Sequence, residues 1–157
     1  MKRFKTHFLS MLMLTLTCLT AQAQTNPFDR FAEYKNVTYV YISKAMLKLI
    51  GTNVIPSING IDVKEIGNKL NSIQIITSEK NTKESLKSEA INIIKKDAYE
   101  NILQISEDNS KVDIYFKEGK KNSIIVMLND EKSETVLIVF SGTFTTSTIA
   151  GIFQNIQ

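Results

Sequence analysis

Three β-type runs in quick succession, Val112 to Phe116, Ser123 to Leu128 and Thr135 to Phe140, constrain the fold of this chain most. Short charged connections, KEGKKN and NDEKSE, join them. Connections this short reverse the chain without crossing a sheet, so the runs read as an antiparallel meander. Val112, Ile114 and Phe116 alternate with Asp113 and Tyr115, which predicts one wet face. Ile124 to Leu128 and Val136 to Phe140 are apolar on both faces and read as interior strands. Gly142 is expected to end the last strand. Thr145 then caps a final helix with Ile149, Ile152 and Phe153 inward.

Upstream, Pro27 is placed to open a short helix, FDRFAEY, with Phe28, Phe31 and Ala32 on one face. Val37 to Ile42 follows as a first strand, apolar on both faces like an interior strand, and Ala45 to Ile50 as a short helix. A polar loop from Gly51 to Gly60 and a brief helix near Val63 to Ile66 lead to a second strand, Ser72 to Thr77. Asn81 and Glu84 have capping-box spacing. Leu86, Ala90, Ile93, Ile94, Ala98, Ile102 and Ile105 then recur every three or four residues, which predicts one long central helix. These elements give an α+β domain with a single five-stranded mixed sheet: two crossover units, then the three-strand antiparallel meander. The helices are expected mainly on one face, and the other face partly open.

The first residues have the pattern of a leader rather than of a fold. Lys2, Arg3 and Lys5 precede an apolar stretch, Phe8 to Leu19, and Ala21-Gln22-Ala23 offers the small residues of a cleavage site. The 12-residue stretch is short of the roughly 20 a membrane span needs. Residues 1–23 are therefore expected to be a signal peptide, cut after Ala23, and 24–157 a single exported domain, periplasmic or extracellular, with no transmembrane span after cleavage. Cys18 is poorly placed for lipid anchoring, because Thr15 and Thr17 stand where a lipoprotein signal has a branched apolar and a small residue.

Removal of that segment takes three of the 19 basic residues and leaves 16 against 16 acidic. A neutral chain without a basic stripe has no electrostatic footprint for nucleic acid. His7 and Cys18 go too, so residues 24–157 contain no His, Cys or Trp. That excludes disulfides, thiol catalysis, His-based triads and His/Cys metal or haem sites in the mature chain.

Among candidate catalytic groups, Ser43-Lys44 at a strand-to-helix junction is the most suggestive. A serine–lysine dyad must bring its groups face to face, whereas neighbours at a helix start point about 100 degrees apart. Ser43 suits an N-cap accepting from the N–H groups of residues 45 and 46, with Lys44 in water. No Gly-x-Ser-x-Gly elbow surrounds the serine. Glu107-Asp108 and Asp130-Glu131 read as solvated turn residues without calcium-loop spacing. Tyr39 and Tyr41 share one face of the first strand, and Tyr115 lies on the polar side of another. If their face is uncovered, these three form a candidate interaction surface; packing with the hydroxyls at the rim is the commoner fate.

The segments FDRFAEYKNVTYVYISKAML, KLNSIQIITSE and FSGTFTTSTIAGI resemble domain of unknown function 4252, a family of small exported proteins of Bacteroidetes. The resemblance spans residues 28–153, and VTYVYISKAML is its most specific phrase. It implies an exported α+β domain, often with a signal or lipoprotein leader, encoded near extracytoplasmic-function sigma factors. It implies no activity and transfers no functional residues. The expected function is a non-enzymatic envelope protein, without cofactor, that binds a protein, peptide or lipid-like ligand through its sheet. The alternative is a secreted hydrolase built on carboxylates or Ser/Lys.

Overall fold

A computed structural model of the chain describes residues 26–50, 67–78 and 82–154. The loop expected at Gly51 to Gly60, the helix near Val63 to Ile66 and Asn81 lie outside the described residues. The strands are β1 (Val37–Ser43), β2 (Leu70–Ser78), β3 (Glu100–Glu107), β4 (Ser110–Lys117), β5 (Ser123–Glu131) and β6 (Thr135–Gly142). Around them stand a 3-10 helix (Pro27–Glu33), α1 (Lys44–Ile50), α2 (Lys83–Lys96) and α3 (Thr146–Gln154).

The sheet is six-stranded, in the order β1-β2-β6-β5-β4-β3, and every neighbouring pair is antiparallel. The five-stranded mixed sheet is thus corrected in strand number and in direction. The extra strand, β3, occupies residues where the apolar stripe predicts the end of the long helix. Ile102 and Ile105 continue a helical stripe, yet Leu103 and Ile105 also alternate as in a strand, so periodicity alone does not decide. What stops α2 is a left-handed residue, Ala98, at φ 54°. The Tyr99 N–H donates to the Ile94 carbonyl at 3.0 Å and the Ala98 N–H to the Lys95 carbonyl at 3.3 Å. This is a Schellman ending, normally marked by glycine. Alanine there leaves no sequence signal.

Strand directions alternate across the sheet, so β2 and β3 run the same way, but three strands lie between them. The α2 crossover therefore does exist, with β6, β5 and β4 filling the space beneath it. The other proposed crossover does not: β1 and β2 are antiparallel neighbours, with Val40 opposite Ile75. β1 is also an edge strand, not an interior one.

Helices pack on both faces, which corrects the one-sided arrangement. On one face, Ile76, Leu137, Val139, Leu128 and Val126 meet Phe28 and Phe31 of the 3-10 helix and Leu86, Ala90, Ile93 and Ile94 of α2. On the other, Ile138, Phe140, Met127, Ile125, Ile114 and Val112 form a second cluster with Leu47 of α1, Phe144, and Ile149 of α3. The expected wet face of β4 lies on the first side, where Asp113 is buried, accepting from Gln104 at 2.6 Å and paired with Lys111 at 2.9 Å.

Local chemistry sets the helix starts. Asn26 caps the 3-10 helix, its Oδ1 accepting from the Phe28 N–H at 3.1 Å. The three-residue turn puts Phe28 and Phe31 inward and leaves Ala32 exposed. Thr82 is the N-cap of α2 without a capping side-chain bond; its hydroxyl donates to the Asn36 carbonyl instead. At the N-terminus of α3 the Thr145 hydroxyl accepts from the Thr148 N–H at 3.3 Å, as expected of a cap. Gly142 ends β6 where a Cβ would lie 2.2 Å from the Lys69 carbonyl oxygen, so close approach requires a glycine there.

Candidate functional site

Ser43 and Lys44 turn to different partners. The Ser43 hydroxyl accepts from the Met46 N–H at 3.3 Å. Lys44 Nζ donates to Asn71 Oδ1 at 2.9 Å, and Asn71 in turn donates to Asn122. The pair forms a helix cap and a surface tether. Ser43→Ala is therefore expected to cost about 1 kcal/mol, and Ser43→Asp to retain stability. Lys44→Ala should stay within about 0.5 kcal/mol. Urea melts check these values; selective labelling of Ser43 by a fluorophosphonate, lost in Lys44→Ala, would overturn the cap.

The three tyrosines share one face of the sheet, but that face carries the 3-10 helix and α2. Register links Tyr41 through Gln74, Val139 and Val126 to Tyr115 in a single row. Four strand spacings separate its ends, roughly 19 Å at about 4.8 Å each. Tyr39 and Tyr115 are half-buried against the core under the 3-10 helix and α2, which is packing at its rim. Burial raises the Tyr39 phenol above its usual value, helped by the Asp29 carboxylate and by Tyr41. Asp29 also accepts from the buried Gln74 side chain at 2.5 Å, tying the 3-10 helix to β2. Only Tyr41, 55% exposed, stands free at the sheet margin. The face these tyrosines share is therefore covered by the 3-10 helix and α2, with Tyr41 alone at its exposed edge.

What surrounds Tyr41 escaped the sequence reading. Among the described residues the exposed large hydrophobic side chains are Val40, Tyr41, Met46, Leu49 and Ile105. Four of these five fall within ten residues, on β1 and on the helix that follows it. Leu49 is 82% exposed. The edge strand they flank, VTYVYIS, has no charge and no proline along its seven residues. Natural edges usually carry such guards, because their free N–H and C=O groups recruit other strands.

A concavity of about 330 Å³ lies between the start of the 3-10 helix, the end of α2 and the β4–β5 connection. Asn26, Asp97, Tyr99, Lys117, Glu118 and Asn122 are among its lining residues. Tyr99 is buried edge-on to Phe28, with the Lys117 ammonium 5.3 Å from its ring centroid. Among the described residues its hydroxyl has no hydrogen-bond partner. Nearby Ser123 donates to the Phe144 carbonyl at 2.7 Å and accepts from the Gly119 N–H, so its hydroxyl is committed to the backbone.

Burial first, and Asp97 second, push the Tyr99 phenol well above its usual value. The folded chain then keeps a proton that the unfolded chain releases near pH 10. Stability falls as pH rises past that point. Tyr39 and Lys87, the latter raised mainly by its hydrogen bond to Asp130, act in the same direction. Tyr99→Phe removes an unpaired hydroxyl, so it should leave stability at pH 7 unchanged or raised by about 1 kcal/mol. It should also flatten the alkaline decline in melts from pH 7 to 11. A decline as steep as the parent's would assign it to the other two groups.

The acidic pairs Glu107-Asp108 and Asp130-Glu131 come together at one end of the sheet, around a shallow depression shared with Lys111 and Lys132. Asp130 and Glu131 belong to β5 rather than to a turn. Asp130 bonds Lys87 of α2 at 2.5 Å and accepts from Thr135 at 3.0 Å, so it anchors the helix to the sheet. Among the described residues no group of three or more His, Cys, Asp or Glu could hold a metal ion, and no helix is long and apolar enough to cross a membrane.

No curated protein and no solved structure matches the chain. One family profile does, over residues 31–152, from the 3-10 helix to α3. That range holds all six strands, and the chain therefore belongs to the family described as Domain of unknown function (DUF4252).

Proposed function

We propose that this domain is a non-enzymatic binding protein of the cell envelope, exported by its N-terminal leader, and that it binds along the β1 margin. One observation carries the reading: the clustering of Val40, Tyr41, Met46 and Leu49 on and beside an unguarded edge strand. Free main-chain groups on such an edge take up an extended segment by strand addition, and alternate side chains give it selectivity. That favours a polypeptide over a lipid-like ligand. The basic, apolar and Ala21-Gln22-Ala23 pattern supports export.

A photo-crosslinking residue in place of Tyr41, in the native cell, tests the binding site. Discrete adducts are expected from position 41 and none from exposed Asn92 on α2. Equal labelling at both positions, or none at 41, would overturn the proposal. Mass spectrometry of the mature N-terminus tests export: Gln24 first is expected, and an intact Met1 or a lipid adduct on Cys18 would refute cleavage after Ala23.

A further inference from the structure

Resting on the β1 margin proposed above, we infer that its partner is a second copy of this chain, paired β1 to β1 about a two-fold axis at Val40. An antiparallel self-pairing centred there aligns all seven residues of the strand. Val40 faces Val40 of the second copy, Tyr39 faces Tyr41, Thr38 faces Ile42 and Val37 faces Ser43. Every position meets an uncharged one, and the two tyrosines form reciprocal cross-strand aromatic pairs, a favourable combination. The two six-stranded sheets become one, and the free edge of each is consumed.

The opposite edge does not offer this. The equivalent self-pairing of β3, ENILQISE, sets Glu100 against Glu107 of the second copy at both ends. Like charges directly opposite each other destabilise a strand pair. Exposure follows the same division. β1 and α1 carry four of the exposed large apolar side chains among the described residues, and β3 carries only Ile105. A two-fold contact uses the same patch twice, so a self-complementary register is what such an interface requires.

The register makes the test specific. In the full chain carrying Cys18→Ser, Val40→Cys places two thiols across the axis, at a Cα separation of about 4.5–5.5 Å. That lies within disulfide range. Thr38→Cys instead places its thiols four residues out of register, roughly 13 Å apart, too far to join. Under a mild oxidant, Val40→Cys should give a covalent dimer of twice 17.7 kDa, and Thr38→Cys should not. Analytical ultracentrifugation of the parent should show the same dimer. Val40→Lys sets two ammonium groups opposite one another and should weaken self-association at least about tenfold. Ile105→Lys on the other edge should not.

A dimer joined equally well through Thr38→Cys, or weakened by Ile105→Lys and not by Val40→Lys, would overturn the β1 axis. A parent that stays monomeric would sink the second copy as partner. If position 41 then still yields photo-adducts of a different mass, the binding margin stands and its occupant is another polypeptide. If it yields none, both proposals fall.

Discussion

Replacing Ile94 with aspartate is expected to unfold most of the domain. Ile94 is 3% exposed and lies on the buried stripe of α2, in the cluster with Phe28, Phe31, Leu128 and Val139. The substitution removes an apolar side chain and buries a carboxylate among these groups. An uncompensated buried charge alone costs about 3–5 kcal/mol, and domains of this size are stable by about 5–15 kcal/mol. Ile94 also sits in the last turn of α2, where its carbonyl accepts from the Tyr99 N–H. Disturbing it therefore loosens the entry into β3 as well. Urea denaturation followed by circular dichroism reads the loss. A midpoint equal to the parent's would mean that the stripe does not face the core.

Phe31→Ala should cost about 3–5 kcal/mol, the usual range for a large aromatic removed from a core. Phe31 is fully buried, 6.3 Å from Phe28 and 5.0 Å from Tyr34 between ring centroids. The 3-10 helix has seven residues and little stability of its own, so these rings hold it on the sheet. Its loss should uncover the core beneath the 3-10 helix and release the Asp29 contact to Gln74. The same melts measure it, and a change below about 1 kcal/mol would show the 3-10 helix to be dispensable. Together the two substitutions probe one face of the sheet from its two covering elements.

Much of the secondary structure was legible because period and local chemistry agree. Alternation marked β4, and apolar runs between short charged connections marked β5 and β6. Pro27 and Thr145 marked helix starts through preferences that act over three or four residues. The Ser43 cap and the separation of Lys44 from it followed from helix geometry alone. The site was less legible. Tyr39, Tyr41 and Tyr115 do share a face, as their positions required, but only the packing of α2 and the 3-10 helix decides that this face is covered. Ala45 to Ile50 reads as a short helix with no facing assigned, and only the placement of α1 leaves Met46 and Leu49 outside.

The sequence by itself determined the leader pattern, the chemistry excluded by the lack of His, Cys and Trp after residue 23, the family resemblance and most strand positions. Each is set by composition or by contacts close along the chain. The tertiary structure alone decided that α2 stops at a left-handed Ala98, that β3 follows, that β6 enters between β2 and β5, and that β1 is an edge. The α2 ending has a local geometry, but alanine does not announce it, and β3 becomes a strand by pairing with β4. Strand order depends on partners far apart in sequence, such as Ile75 and Ile138. An apolar strand is compatible with an interior or an edge position, and among the described residues no strand lies beyond β1, which gives VTYVYIS its free side.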